Sequence, residues 1–283
     1  MADVVVYGTA AADVVIRVPA LPRPGDHLGA EPLGWRLGGS SANIACGLAA
    51  AGHRVELIGP VGTDALAEAL VEGLGRRGVQ THRLRRVEGP SPRALILLDP
   101  EGERTILVLD HASAAASFPV EDLPSAAGAD CVYVESYVRF PTALAEGAGD
   151  ALLVATPPAL GQRSWPADVL VGSERQYPAG WLASPFASAL PLAGARLRWV
   201  VVTRGRRGAD AYGPDGEWHV AARPAKQVDA TGAGDAFAAA LISGLLAGRG
   251  IREAMELGAG QGAAAVEVLQ PVPPGWLAGV ERS

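Results

Sequence analysis

Residues 229–235 read DATGAGD and stand immediately ahead of the apolar run AFAAALISGLLAG. Glycines that lead into a helix aim several backbone N–H groups at one point, here those of Ala233, Gly234 and Asp235. That point binds anions, because the first donors of a helix lack intrahelical acceptors and the helix dipole is positive there. Beside it the carboxylate of Asp235 can accept a proton from a hydroxyl. These are the parts of a phosphoryl transfer: donors for the charge on the moving group, and a base that orients and deprotonates the nucleophile. A bare GxGD arises by chance roughly 0.2 times in a chain of this composition, but requiring Asp229 and Thr231 as well lowers that to on the order of 0.0003. A helix cap with no further role is the weaker reading.

A second constellation lies in LGGSSANIACGLAAAGHRVELIGPVGTD, residues 37–64. Gly38 and Gly39 let a polar ligand approach the backbone closely, and Asn43 offers one acceptor and two donors to a diol. A GG pair alone would read as a strand-to-helix turn. Asn43 shifts that balance, since it is the only asparagine in the chain. Asp13, in GTAAADVVIRVP, adds a carboxylate at a strand. Lys226 is the only lysine, and the GxxxxGK[ST] loop of P-loop enzymes is absent. Phosphate charge must then be met by a glycine-lined helix start, Mg²⁺ and arginines.

The elements that must position these groups follow a βα alternation. Strands are expected at 4–7, 55–58, 79–84, 131–134, 152–155, 169–171 and 199–203, with helices at 41–51, 65–76, 235–247 and 252–269. Such alternation predicts an α/β fold with helices on both faces of a mostly parallel sheet, a three-layer α/β/α sandwich. Two strand pairs interrupt it, 14–18 with 34–37 and 93–98 with 104–109, the second joined by the turn composition DPEGE. They predict a small β-sheet lid built from segments at about 13–37 and 90–111 on a single domain spanning 1–283.

The 283 residues carry a net charge of -6 without a run of like charges, which excludes the basic footprint of a nucleic-acid binder. Cys46 and Cys131 form no CxxC, and the five histidines never reach ligand spacing, so neither a zinc site nor a disulfide framework is expected. Asp3 and the lack of a basic flank argue against a signal peptide, and prolines 178, 185 and 191 break the longest uncharged stretch. A cytoplasmic protein is expected.

With these motifs the chain resembles the PfkB carbohydrate kinase family, the ribokinase-like sugar and nucleoside kinases, over nearly its whole length. The resemblance implies that Asp235 is the catalytic base, that Gly232, Ala233 and Gly234 form the anion hole, and that Asp229 helps to form a loop that holds a monovalent cation, K⁺, in many members. It assigns Asp13, Gly38, Gly39 and Asn43 to the sugar site, and Glu135 in VYVESY to a substrate contact kept by ribokinase. In VVVTRGRRGADAY it makes Thr203, Gly205 and Gly208 nucleotide contacts.

Departures from the family pattern bear on these assignments. Where the family carries NxxE, which helps to place Mg²⁺ and nucleotide, this chain reads VLVGSERQYP, with Ser173 for the asparagine and Gln176 for the glutamate. Glu174 substitutes if the alignment shifts by two. ATPP at 155–158 lacks the usual aspartate, and GGSSAN in place of GGKGAN weakens an assignment to ribose.

The resulting expectation is Mg²⁺-dependent transfer of the γ-phosphoryl of ATP to a hydroxymethyl group of a small sugar, by a homodimer joined through the lid. Two alternatives stay open. One is a nucleoside kinase, its base stacked on Trp35, Tyr137 and Phe140, each of which reads more simply as core. The other is a non-catalytic sugar or nucleotide sensor, favoured by the altered NxxE region and opposed by the intact Asp235.

Overall fold

The structure is a computed structural model and describes residues 1–109, 126–136, 138, 141–159 and 161–268. In chain order the strands are β1 (Asp3–Tyr7), β2 (Ala11–Arg17), β3 (Glu31–Gly38), β4 (Arg54–Ile58), β5 (Pro60–Val61), β6 (Val79–Gln80), β7 (Arg85–Arg86), β8 (Arg93–Leu98), β9 (Arg104–Val108), β10 (Cys131–Val134), β11 (Leu152–Ala155), β12 (Val169–Ser173), β13 (Trp199–Thr203), β14 (Ala209–Gly213) and β15 (Gly216–Val220). The helices are α1 (Ser40–Ala50), α2 (Ala65–Gly75), α3 (Pro141–Ala148), α4 (Pro185–Ala193), α5 (Ala233–Leu246) and α6 (Ile251–Val266). Tyr137, Phe140, Leu269 and the end of the expected lid segment at 110–111 lie outside the described residues.

Among the described residues the main sheet has nine strands in the order β15-β14-β13-β12-β11-β10-β1-β4-β6. It is parallel from β13 to β6 and ends in an antiparallel hairpin, β14 and β15. Alternate residues of β1 serve opposite faces, as the two-residue period of a strand requires. Val4 and Val6 join the core under α1, α2, α5 and α6, whereas Val5 and Tyr7 join the core under α3 and α4. These are the three layers of the sandwich. Glycines set the closest helix contacts: a Cβ on Gly258 would meet the Phe237 ring at 2.8 Å, and one on Gly47 would meet Ala239 at the same distance.

Two local expectations change. The strand expected over 79–84 ends at Gln80, because the chain turns back with Leu84 N–H donating to the Thr81 carbonyl at 3.0 Å. Helices α3 and α4 and the β14–β15 hairpin add to the expected elements.

The second sheet runs β3-β2-β8-β9, antiparallel except for the β2–β8 pair. It is the small lid sheet. Its β8–β9 turn is built by Asp99, whose Oδ1 accepts from the N–H groups of Glu101 and Glu103 at 3.0 and 2.9 Å. Gly102 completes that turn at φ +76°, a conformation that favours glycine. No described helix is long and apolar enough to cross a membrane.

Candidate active site

After β1 the chain continues to α1 and β4 on one side, then returns to β10 on the other. The strand order therefore reverses between β1 and β10, and in open α/β sheets ligands bind in the crevice beyond the strand ends at such a point. Thr9 follows β1 and Glu135 follows β10. Glu135 Oε2 accepts from Thr9 N–H at 3.0 Å, Thr9 Oγ1 at 3.3 Å and Ser41 Oγ at 2.7 Å. A side chain on Gly8 would strike Ser41 Oγ and this carboxylate, so the crossing needs glycine there. Burial raises the Glu135 pKa against those hydrogen bonds.

A cavity of about 370 Å³ opens above this point, lined from the main sheet, α1, the start of α5 and the lid. Asp13 enters it from β2 and is only 6% exposed. Its carboxylate lies over Gly38, where a Cβ would come within 2.2 Å of it. Across the β2–β3 ladder Asp13 faces Arg36. Burial pushes the Asp13 carboxyl up to about 6, offset by the Arg36 guanidinium and reinforced by Asp235 and Asp229.

Arg36 was no part of the sequence expectations, yet it forms the most enclosed ion pair of the site. Its Nη1 donates to Asp229 Oδ2 at 2.6 Å, with side chains only 4% and 1% exposed. Asp229 Oδ1 accepts from Thr231 N–H at 2.8 Å. Losing either partner of such a pair strands a buried charge, at a cost of roughly 3–5 kcal/mol. Nothing in the sequence motif pointed to Arg36, because its partner lies 193 positions away.

Asp235 sits in the first turn of α5, behind Gly232 in the left-handed conformation at φ +78°. The first rung of the helix is Ala236 N–H to the Gly232 carbonyl at 2.8 Å, so the N–H groups of Ala233, Gly234 and Asp235 have no intrahelical acceptor. Both oxygens of Asp235 are held from the first turn of α1. Oδ1 accepts from Ser40 Oγ and Oδ2 from Asn43 Nδ2, each at 2.7 Å. Burial raises the Asp235 pKa, and Asn43, Ser40 and Arg104 oppose the rise.

Asn43, expected to serve a substrate diol, thus also spends a donor on Asp235. Replacing Asn43 by Ala is expected to lower kcat by about 10- to 100-fold, the worth of one hydrogen bond to a charged group. Steady-state kinetics would check this; a change in KM alone would mean that Asn43 addresses only the substrate. Ser40, the other clamp, went unremarked in the sequence although it directly follows the GG pair.

On the far side the cavity is lined by Ser173, Gln176 and Thr203 at the ends of β12 and β13. Glu174, offered as an outer magnesium ligand, points elsewhere: it pairs with Arg207 at 2.6 Å and Arg204 at 3.1 Å and is no part of the cavity lining. Gln176 does line the cavity, but its Oε1 accepts from Ser173 N–H at 2.7 Å. Gly205 and Gly208 bound a short 3₁₀ turn outside the lining. A side chain on Gly208 would meet the Val220 carbonyl at 2.1 Å, so that glycine serves the approach of β15. Arg204 is held in place by Asp210 and Glu174. Lys226 is exposed and away from the cavity.

Among the described residues no three His, Cys, Asp or Glu side chains cluster to hold a metal. Magnesium in phosphoryl-transfer sites keeps several waters and phosphate oxygens and needs few protein ligands. The open cavity beside Asp235 and the unpaired helix donors fit a magnesium–nucleotide complex on those terms.

A sequence model described as pfkB family carbohydrate kinase matches residues 1–159 and 184–274. The chain belongs to this family. Among its pfkB relatives, an ATP-dependent ribose-1-phosphate kinase of Halopiger xanaduensis is 30% identical over 86% of this chain and 85% of its own length. A ribokinase of Schizosaccharomyces pombe is 26% identical over 92% of this chain and 90% of its own length. Among solved structures, a ribokinase from Cryptococcus neoformans in complex with ADP superposes with a TM-score of 0.77 at 26% identity, covering 95% of each chain. This pfkB chain is an ATP-dependent kinase acting on sugars or nucleosides. Its lid also brings Arg93 and Arg104 to the cavity. Neither stood out in the sequence among 23 arginines.

Proposed function

We propose that this kinase, acting in the cytoplasm, transfers the γ-phosphoryl of ATP to a hydroxymethyl group of a small free sugar. The observation that carries the reading is the position of Asp235. Its carboxylate sits at the positive start of α5 and opens onto the same cavity as Asp13 and Asn43. A sugar gripped through its hydroxyls by Asp13 would turn its hydroxymethyl group toward Asp235, which takes the proton. Ser40 and Asn43 keep the carboxylate aimed. The N–H groups of Ala233, Gly234 and Asp235 face the charge of the moving group. The transition state is loose, so the placement of Asp235 matters more than its basicity. Bound Mg²⁺ would supply charge neutralisation between the phosphates, carried mainly by water and phosphate oxygens.

The described lining offers a nucleoside base little to stack on. Trp35 is buried in the core, 6% exposed, and Tyr133 is the aromatic residue among the described lining. A second reading has a specific observation behind it. Arg93 and Arg104 line the cavity, which suits an acceptor that already bears a phosphate, as the name of the Halopiger relative describes. ATP turnover with pentoses, hexoses, sugar phosphates and nucleosides separates these readings. Turnover confined to nucleosides would overturn the sugar reading, and no turnover with any acceptor would favour the sensor.

Asp13 sets a pH dependence. It must be ionised to accept substrate hydroxyls, and its folded-state value of about 6 means that the carboxylate is lost as pH falls through 6. The ratio kcat/KM, which reports the free enzyme, is therefore expected to fall on an acid limb near pH 6. A profile flat down to the ordinary carboxylate range would contradict it.

We further infer a homodimer through the lid. Ile106, Leu107, Val108 and Leu109 are about half exposed, at 47%, 46%, 54% and 54%. An apolar strand edge of this kind favours pairing with another strand. Sedimentation of the wild type against Leu107→Lys is expected to show a dimer that dissociates; a wild-type monomer would overturn the inference.

A further inference from the structure

The pfkB resemblance places a monovalent cation beside Asp229, and the described residues around that carboxylate do not fit one. Asp229 is 1% exposed, and both of its oxygens are engaged, Oδ2 by Arg36 and Oδ1 by Thr231 N–H. The carbonyl of Val266, a backbone acceptor beside this loop, already accepts from Val228 and Asp229 N–H at 2.7 and 3.2 Å. A second cation on this carboxylate would share a buried site with the guanidinium, where no water screens like charges.

We propose that Arg36 stands in for that cation, so that phosphoryl transfer by this chain needs no potassium. Arg36 is then a positioning residue. It touches neither the reacting hydroxyl nor the phosphate, and acts through Asp229. Its charge is permanent and its place is fixed by the β2–β3 ladder, which sets it opposite Asp13. One guanidinium thereby serves two carboxylates, holding Asp229 in the loop that starts α5 and offsetting the burial of Asp13 at the sugar. Its Nη2 has no acceptor among the described residues, which leaves the charge incompletely quenched by Asp229.

The proposal rests on the kinase reading for its activity arm and not for its binding arm. Activity of the wild type is measured in potassium chloride and in tetramethylammonium chloride at matched ionic strength. The two rates are expected to agree within about twofold, whereas true activation would be a coupling of about fivefold or more and would overturn the proposal. Arg36→Ala is expected to lose activity in tetramethylammonium and to regain about tenfold or more in potassium, a rescue that a merely structural role would not give. The second arm is thermal unfolding of the ligand-free protein. Potassium is expected to leave the wild-type midpoint unchanged and to raise that of Arg36→Ala by a few degrees, as a ligand bound only by the folded state does. Potassium stabilising the wild type would overturn the proposal even if no acceptor were found. Should Arg36→Ala fail to fold, Arg36→Gln takes its place, and the wild-type comparison decides by itself.

Discussion

Replacing Asp235 by Asn is expected to lower kcat by on the order of 10³-fold while leaving the fold and ATP affinity near wild type. The side chain keeps its shape but loses its charge and its capacity to take a proton. Asp235 now accepts one hydrogen bond on each oxygen, from Ser40 and from Asn43. An amide can keep both contacts, its carbonyl accepting from Asn43 Nδ2 and its NH₂ donating to Ser40 Oγ, so the clamp survives while the base is lost. Stability suffers little, because the substitution removes a partly desolvated charge. Steady-state rates with a sugar acceptor, calorimetric ATP binding and the unfolding midpoint would together check this. Activity within about tenfold of wild type would remove Asp235 as the base.

Gly38→Ala is expected to raise KM for the sugar by about 100-fold, although Gly38 itself is not part of the cavity lining. The added Cβ would lie 2.2 Å from the Asp13 carboxylate, well inside van der Waals contact. Asp13 would be pushed off Gly38 and so would leave the position from which it meets the sugar hydroxyls. The mechanism makes a further claim. In an Asp13→Ala background the same glycine substitution is expected to change KM by less than about twofold, because the carboxylate it would displace is gone. Full additivity of the two effects would show that Gly38 acts by another route.

The βα alternation was legible because apolar strands and small-residue helices announce themselves locally. The anion-binding helix start was legible because one contiguous string carries it. Arg36 illustrates what was not. An arginine on a strand ordinarily reads as solvated, and only the folding of the lid onto residue 229 reveals a buried partner. Glu174 failed for the complementary reason, since position along the chain made it a metal-side carboxylate while two nearby arginines claim it in space. The β14–β15 hairpin passed unnoticed although its turn, GPDG, has the composition of one. Gly208, expected as a nucleotide contact, also makes room for that hairpin.

The turn at Gly102 touches more than solvent. Its carbonyl accepts from Ala230 N–H at 3.1 Å, and a Cβ there would press on the Val228 carbonyl at 2.8 Å. With Arg36 gripping Asp229, the lid holds the signature loop at two adjacent residues. The lid and the glycine-rich start of α5 are therefore interlocked through two neighbouring residues. Moving the lid off this loop would break both ties at once and strand Arg36 and Asp229 as unpaired buried charges.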